Sequence, residues 1–220
     1  MNALAKPLGL LLKYIFDIVG NYGVSIILFT ILVKLLMIPL TVKQMKSMKS
    51  IQIIQPKINE LKEKYKNDPE KLNVKTMELY QEYKVNPFGG CLPLLIQFPI
   101  LIGLFAVLRE PGVYVFESQA AYEALNTAFL WLPNLTAPDL WILPLLAALF
   151  TFLSSFTMTG ANQSDSSQKM MTYFFPIMIF WWGRSFPAGL SLYWVVSNGF
   201  QVAQQILLKR IDFGAKEDSN

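Results

Sequence analysis

The chain has 220 residues, of which 53% are hydrophobic, 14% aromatic and 15% charged, and its mean hydropathy is +0.37. This composition is far more apolar than that of an ordinary soluble domain, and it indicates a protein that crosses a membrane several times. The single cysteine, Cys91, and the absence of histidine exclude an intrachain disulfide, metal ligation by imidazole and histidine-based acid–base catalysis.

Residues 1–20 predict an amphipathic helix. Their leucine, isoleucine and valine side chains recur at helical spacing, whereas Lys6, Lys13 and Asp17 fall on the opposite side. Such a helix lies in a membrane interface. Because Lys13 interrupts the apolar run and no small-residue cleavage site follows, we do not expect a cleavable signal peptide. A simple leader into the first span stays open as an alternative.

Five later segments are apolar enough to cross a bilayer, for which about 20 residues are needed. The predicted transmembrane helices are the first at 21–42, the second at 87–109, and the third to fifth within 140–208, at 140–159, 171–186 and 188–208. The fourth is short and contains Pro176. It is predicted to form a hairpin with the fifth.

Residues 43–86, between the first two spans, predict a helical hairpin. Apolar residues from Ile51 to Leu61 recur at steps of three and four, and Asp68 followed by Pro69 is a typical start of a second helix. Two interpretations of this charged hairpin stay open. It is either a solvated connection or a docking surface for partners or lipid headgroups.

The distribution of positive charge predicts the orientation. Segment 43–86 carries ten lysines, and the tail 209–220 carries three further Lys or Arg residues, whereas the loop 110–139 carries none. Because positively charged connections stay in the cytoplasm, we expect the N-terminus outside and the C-terminus inside the cell. The loop 110–139 then lies outside, partly helical at the interface.

Lys34 stands inside the first predicted span, where a charge costs about 2.5–3.5 kcal/mol. No acidic residue lies inside any predicted span, so only backbone carbonyls, water or an external group can accompany this ammonium. Further polar side chains in the predicted spans are Thr30 in the first, Gln97 in the second, Ser154 and Ser155 in the third, and Trp194, Asn198 and Gln201 in the fifth. This distribution predicts a wet cavity open to the cytoplasm and closed outside. Interhelical hydrogen bonding without a cavity is the alternative.

The residues that intramembrane enzymes need are missing. A pair of intramembrane aspartates, a Ser–His pair and a zinc motif cannot be assembled, and residues 86–91, NPFGGC, lack the Lys-Ser/Thr of a phosphate-binding loop. We therefore expect no enzymatic activity, no cofactor and no metal. Two classes of binding function remain, one for a solute and one for a polypeptide.

Four stretches resemble the YidC/Oxa/Alb family of membrane protein insertases, and most closely its bacterial five-span form. They are GNYGVSIILFTILVKLLMIPLTVKQ at 20–44, QPKINELKEKY at 55–65, VNPFGGCLPLLIQFPILIG at 85–103 and FPAGLSLYWVVSN at 186–198. The resemblance covers about 22–208 in order.

The resemblance implies an all-α integral membrane protein with five transmembrane helices around a hydrophilic groove and with a cytoplasmic helical hairpin. The groove of the family opens to the cytoplasm and lipid and centres on a basic residue, usually arginine, which corresponds to Lys34. Trp194 corresponds to an aromatic position that lines the groove and meets the substrate. Ser155 and Gln97 correspond to positions of the family's third and second helices.

The implied function is to insert newly synthesised membrane proteins into the bacterial plasma membrane and to help them fold, without nucleotide hydrolysis. The implied partners are nascent membrane proteins, the lipid bilayer, the Sec translocon and the ribosome, with no sequence-specific nucleic acid binding. Ribosome contact would rely on loops, because 209–220 is short and not strongly basic. An anion channel or solute transporter that uses Lys34 as its site is the alternative.

Overall fold

A computed structural model describes residues 2–86, 92–116, 118–125, 127–159 and 169–217. Within these ranges the chain is helical and contains no β-strand, only one isolated bridge between Phe129 and Leu132. This confirms the predicted all-α class. The helices are α1 Asn2–Val19, α2 Tyr22–Leu36, α3 Ile38–Lys64, α4 Pro69–Glu82, α5 Leu92–Arg109, α6 Pro111–Tyr114, α7 Gln119–Glu123, α8 Ile142–Thr159, a π-helix Met170–Phe174, α9 Phe175–Gly183 and α10 Ala188–Glu217.

No single helix in the described ranges has both the length and the hydropathy of a membrane span. By these two criteria alone, α2 and α3 meet the requirement together, although they are bent by 61° at the break between them. Shorter apolar helical stretches run over Gln97–Arg109, Ile142–Met158 and Met170–Gly183.

The boundary between α1 and α2 is set by two local features. Gly20 adopts φ +70°, and its N–H donates to the carbonyl of Phe16 at 2.7 Å, which is a common way for glycine to end a helix. The side chain of Asn21 then accepts the N–H of Val24 at 3.0 Å and caps α2. The short connection allows α1 to pack against α2 and α5.

The bend between α2 and α3 has a local cause. Pro39 stands in the first turn of α3, two residues after the break at Met37. Proline has no N–H, and its ring crowds the preceding turn, so it suits the start of a helix and opposes continuation of the one before it. The segment 21–42, predicted as one span, is thus divided between two helices.

Helices α3 and α4 form a hairpin. The side chain of Asp68 accepts the N–H of Lys71 at 3.0 Å, so it caps α4 at the predicted position. The Lys57 amine donates to the Tyr83 hydroxyl, which joins the middle of α3 to the end of α4. A cleft of about 400 Å³ lies between the two helices and is lined by lysines, glutamates and two leucines.

The apolar core lies at one end of the bundle. We call it the loop end, where α2, α8 and α10 begin, α5 ends, and the loop 110–139 folds over the helices. Side chains that are at least 98% buried there are Ala5, Leu12, Tyr22, Ile26, Phe29, Leu104, Val107, Leu108, Val115, Leu135, Leu143, Ala188, Leu190 and Tyr193. Rings of Phe16, Tyr22, Phe116 and Tyr122 pack with centroids 5.1–6.3 Å apart.

The opposite end, which we call the hairpin end, continues into α3 and α4. Helix α8 packs along α10, α9 and the π-helix, and α3 contacts α8. Pro176 cannot donate to the carbonyl of Thr172, which accounts for the π-helical turn Met170–Phe174 that precedes α9. Residues 87–91 of the second predicted span, including Cys91, lie outside the described residues, as do 160–168.

Candidate functional site

Lys34 lies in the last turn of α2, at its hairpin end, and is half-buried. The N–H of Met37 donates to the carbonyls of Val33 and Lys34 at 3.1 and 3.2 Å. Carbonyl groups at a helix C-terminus carry partial negative charge, which favours a cation in this turn. The charge therefore stands beside the bend rather than in the middle of a straight span.

The ammonium of Lys34 has no counter-ion in the part of the chain that the structure describes. Two ion pairs of the described residues, Lys13 with Asp17 and Lys75 with Glu78, lie on exposed helix surfaces. No hydrogen bond from the Lys34 amine to a described residue is present either. A half-buried cation without a partner is unusual in a protein interior, and it calls for water or an external acceptor.

Thr30 precedes Lys34 by one turn on the same face of α2. Its side chain is fully buried, and its hydroxyl donates to the carbonyl of Ile26 at 2.6 Å. The hydroxyl proton is therefore used inside α2. The row formed by Tyr22, Ile26 and Thr30 is closed by packing, and Lys34 is the first member of the row that is not fully buried.

Gln97 and Trp194 both connect helices. The Gln97 amide donates to the Tyr193 hydroxyl at 2.7 Å and joins α5 to α10. The Trp194 indole donates to the Thr151 hydroxyl at 2.9 Å and joins α10 to α8. Tyr193 was not singled out from the sequence. Its partner lies 96 residues away, so only the folded chain reveals the pairing.

Trp194 also borders a small cavity of about 10 Å³, roughly the space of one water molecule. The cavity lies where α8, α9 and α10 meet. It is lined by Ala147, Ile179, Gly183, Phe186, Leu190, Ser191 and Trp194. Trp194 thus lies between this cavity and the polar side chains that are nearer the hairpin end.

Asn198, Gln201, Ser154 and Ser155 lie between Trp194 and the hairpin end. The Asn198 amide donates to the Trp194 carbonyl at 2.9 Å on its own helix. Ser154 is buried, whereas Ser155, Asn198 and Gln201 are half-buried. The predicted site residues of α8 and α10 therefore come together along one helix pair, and α10 also packs against α2, which carries Lys34.

A polar junction of three helices follows at the hairpin end. Thr157 of α8 hydrogen bonds to the side-chain oxygen of Gln205 on α10, and the Gln52 amide of α3 donates to the carbonyl of Met158 at 2.5 Å. The amide nitrogens of Gln44, Gln204 and Gln205 are buried, and none has a partner within the described ranges. Donors of this kind require water or an external acceptor.

Sequence comparison identifies relatives over nearly the whole chain. The family model described as 60Kd inner membrane protein matches residues 14–216. A protein named membrane protein insertase YidC from Caldanaerobacter subterraneus subsp. tengcongensis is 43% identical over 212 residues, which cover 96% of this chain and 96% of the relative. The protein of that name from Fusobacterium nucleatum is 44% identical over 211 residues, or 95% of this chain and 96% of the relative.

Two further similarities agree. Membrane protein insertase MisCA from Bacillus subtilis is 43% identical over 213 residues, which cover 94% of this chain and 77% of MisCA. A crystal structure of an active YidC insertase with its first transmembrane domain resolved matches with a TM-score of 0.69 and 30% identity. That match covers 92% of this chain and 45% of the other. The protein is accordingly a bacterial membrane protein that belongs to the YidC/Oxa/Alb family.

Proposed function

We propose that this protein is a membrane protein insertase, which inserts newly synthesised membrane proteins and helps them fold in the bacterial plasma membrane. The observation that carries the proposal is Lys34, a half-buried cation without a partner among the described residues. The relatives named membrane protein insertase support it. In this proposal the helices cross the bilayer several times, with the N-terminus outside and the C-terminus in the cytoplasm.

The contrast between the two ends of the bundle supports a groove that opens on one side only. The loop end is filled by fully buried apolar side chains, which leave no path for a hydrated segment. The hairpin end holds Gln44, Gln204 and Gln205, whose amide nitrogens have no partner in the part of the chain that the structure describes. A hydrophilic substrate segment would enter from the hairpin end, reach the neighbourhood of Lys34 and stop below the apolar core.

Lys34 has a modest electrostatic role in this mechanism. The ammonium attracts a substrate tail or loop that carries carboxylates. Once this tail lies in the groove, the apolar distance that it must still cross is shorter. Lysine offers a point charge rather than the planar fork of arginine, so it holds a carboxylate less tightly. Weak attraction suits an insertase, because the segment has to leave again.

The driving force comes from the apolar segment of the substrate. Transfer of this segment from water into lipid contributes about 0.8 kcal/mol for each buried CH₂ group. We propose that it leaves along α8 and α10, where Ser155, Trp194, Asn198 and Gln201 line the path that the hydrophilic part follows. No nucleotide is required, since partitioning into lipid supplies the energy.

Two short helices lower the barrier further. The 15 residues of α2 span about 22 Å, and the 14 residues of the π-helix and α9 together span about 21 Å. The hydrocarbon core of a bilayer is about 30 Å thick. A bilayer that adapts to such helices becomes thinner beside them, which shortens the distance for the polar part of a substrate.

Other partners are part of the proposal. The hairpin of α3 and α4 presents lysines and glutamates around its cleft, and it is the part best placed to meet the ribosome or the Sec translocon. Deletion of 43–86 tests this role. Loss of Sec-assisted insertion with normal insertion of Sec-independent substrates would support it.

An insertion assay in proteoliposomes tests the central claim. The substrate is a single-span protein with an acidic N-terminal tail, together with a matched version in which neutral amides replace the carboxylates. We expect Lys34→Ala to reduce insertion of the acidic version about tenfold, the effect of one moderate charge interaction, and the neutral version much less. Lys34→Arg should retain activity.

Lys43→Ala is the matched control, because Lys43 is an exposed lysine nine residues further along the chain. It should insert both substrates normally. Equal insertion of the acidic substrate by Lys34→Ala and the parent would refute the role of the charge. Anion flux through the liposomes without any substrate, lost in Lys34→Ala, would instead favour a channel or transporter.

A further inference from the structure

Tryptophan is concentrated at the loop end. Of the five tryptophans in the chain, four lie there and are exposed, with exposed fractions of 45% for Trp131, 61% for Trp141, 60% for Trp181 and 52% for Trp182. We call these four residues, together with Arg184, the rim. Trp194 is the only tryptophan outside it. Tryptophan side chains favour the headgroup region of a bilayer, where the ring is partly apolar and the N–H stays hydrated.

Arg184 sits among the aromatic rings of the rim. Its guanidinium carbon lies 4.6 Å from the ring centroid of Trp141, 5.5 Å from that of Trp181 and 6.0 Å from that of Phe180. These are cation–π distances, and three rings, one just before α8 and two on α9, surround one cation. The side chain therefore has a fixed position, although it follows directly after the end of α9.

The hydrogen-bonding groups of this guanidinium are not used by any residue that the structure describes. No hydrogen bond or ion pair joins Arg184 to any residue that the structure describes. Ring faces attract the charge but accept none of the in-plane N–H groups, which form a fork suited to carboxylate or phosphate oxygens. An oxyanion from outside the chain can bind them without breaking an existing contact.

The acidic residue that precedes α8, Asp139, already accepts several hydrogen bonds. Asp139 accepts the Trp131 indole N–H at 3.1 Å and the backbone N–H groups of Trp141 and Leu143 at 3.1 and 2.8 Å. Its carboxylate thereby caps α8 and fixes Trp131. It does not neutralise Arg184, with which it forms no ion pair.

The surface around the rim is aliphatic. Leu140 and Ile142, which flank Trp141, are exposed to 51% and 46%, and Leu145, in the first turn of α8, is exposed to 61%. An exposed face that changes from aromatic residues with a cation to aliphatic residues has the polarity profile of one leaflet of a bilayer, from headgroups to acyl chains. A soluble anion would match the cation but would not cover the leucines.

We propose that Arg184, held by Trp141, Phe180 and Trp181, is a binding site for the phosphate of a phospholipid at the loop-end surface of the membrane. The acyl chains of this lipid lie along Leu140, Ile142 and Leu145. The site fixes the height of α8 and α9 in the bilayer. The proposed lipid site requires only that the chain resides in a membrane. The lipid-site proposal and the insertase proposal can therefore fail independently of each other.

Lipid retention measures the site directly. The full chain is incorporated into nanodiscs of phosphatidylglycerol and phosphatidylcholine, extracted in mild detergent and analysed by native mass spectrometry for bound phospholipid. We expect Arg184→Gln to lower bound phosphatidylglycerol about tenfold, because it removes a charge-assisted, forked contact. Arg184→Lys should lose a smaller part, since the charge remains and the fork is lost.

Arg109→Gln is the matched control. Arg109 also ends a helix at the loop end and stacks on one ring, with its guanidinium carbon 5.7 Å from the centroid of Phe105. Its removal should leave lipid retention unchanged. Equal retention by the parent and a helical, monodisperse Arg184→Gln variant would overturn the proposal. Complete displacement of the lipid by inorganic phosphate would overturn it too, because it would identify a site for free anions.

Fluorescence quenching gives a second readout. In a Trp194→Phe background every remaining tryptophan belongs to the rim. We expect lipids brominated near the glycerol to quench this fluorescence more strongly than lipids brominated near the end of the acyl chain. Stronger quenching by the deep label would place the rim inside the hydrocarbon and contradict the proposed site.

Discussion

The two ends of the bundle are built on opposite principles. At the loop end, Leu12, Phe29 and Tyr193 are almost completely buried in a continuous apolar cluster that includes the loop 110–139. At the hairpin end, threonine and glutamine side chains join the helices beside buried isoleucines of α3, and several amide nitrogens have no partner among the described residues. The loop end also holds two buried hydroxyls, those of Tyr22 and Tyr122, without a partner among the described residues, so the two ends differ in how densely apolar side chains surround such groups.

In the proposed mechanism this difference separates the part of the chain that provides stability from the part that provides function. Unpaired buried donors each cost about 1–3 kcal/mol, so a region that keeps three of them is held by the packing of the rest. The loop end supplies that packing and closes the bundle. The hairpin end remains polar enough to admit water or a substrate. Mutations at the loop end should therefore reduce mainly stability, and mutations at the hairpin end should reduce mainly activity.

The largest effect on stability is expected from Phe29→Ala. Phe29 is fully buried at the loop end, and truncation leaves a cavity, which costs about 3–5 kcal/mol in protein cores. Leu36→Ala is the control, because Leu36 lies on the same helix and is 71% exposed. The free energy of unfolding is measured in mixed micelles. A similar loss in both variants would show that the loop end is not a packed core.

Gly9→Ala should have the next largest effect. A Cβ atom at Gly9 would lie 2.3 Å from the backbone oxygen of Tyr114, and backbone atoms cannot move aside as a flexible side chain does. We expect a loss of about 1–3 kcal/mol, typical of overpacking. At Gly199 the nearest atom would be 3.6 Å away on Phe150, so Gly199→Ala should be neutral or slightly stabilising. Thermal unfolding of the two variants compares the tight and the looser end.

Sequence reasoning went furthest where local chemistry decides the structure. The Asp68 cap, followed by Pro69, was readable because a capping side chain and a proline act on the next few residues only. The all-helical class followed from the long apolar runs. The bend beside Lys34 was not predicted, since Pro39 is compatible with a kinked span as well as with a new helix.

Hydrogen-bond partners that are distant in the sequence cannot be predicted from it. The sequence predicts Gln97 and Trp194 as polar groups of a groove, but their hydrogen bonds to Tyr193 and Thr151 depend on how α5, α8 and α10 meet. Thr30 was selected for the same reason, and its hydroxyl is used within α2. Periodicity identifies the face on which a residue lies, and it does not tell which neighbour satisfies it.

Gln205→Leu distinguishes stability from function at the hairpin end. The substitution removes a buried, unpaired amide nitrogen together with the hydrogen bond to Thr157, whose hydroxyl can still donate to the Leu153 carbonyl at 2.8 Å. We expect stability to change by about 1 kcal/mol or less, in the stabilising direction. Insertion of an acidic-tailed substrate should fall at the same time. A clear loss of stability with unchanged insertion would mean that Gln205 only joins helices.

The smallest effect is expected at Asp139, which caps α8 at the loop end. Burial raises the pKa of Asp139, but hydrogen bonds from the backbone N–H groups of Leu143 and Trp141 and from the Trp131 indole outweigh it and hold the pKa below its ordinary value of 3.8. Because the unfolded chain then takes up this proton first as the pH falls, the stabilisation is complete above the ordinary pKa and disappears as the pH drops through the pKa of the folded state.

Asp139→Asn should reduce stability by about 0.5 kcal/mol at neutral pH. The difference between parent and variant should vanish in acid, and unfolding curves between neutral pH and about pH 2 measure it. A difference of equal size at neutral and acidic pH would show that the charge of Asp139 contributes nothing to stability at the start of α8.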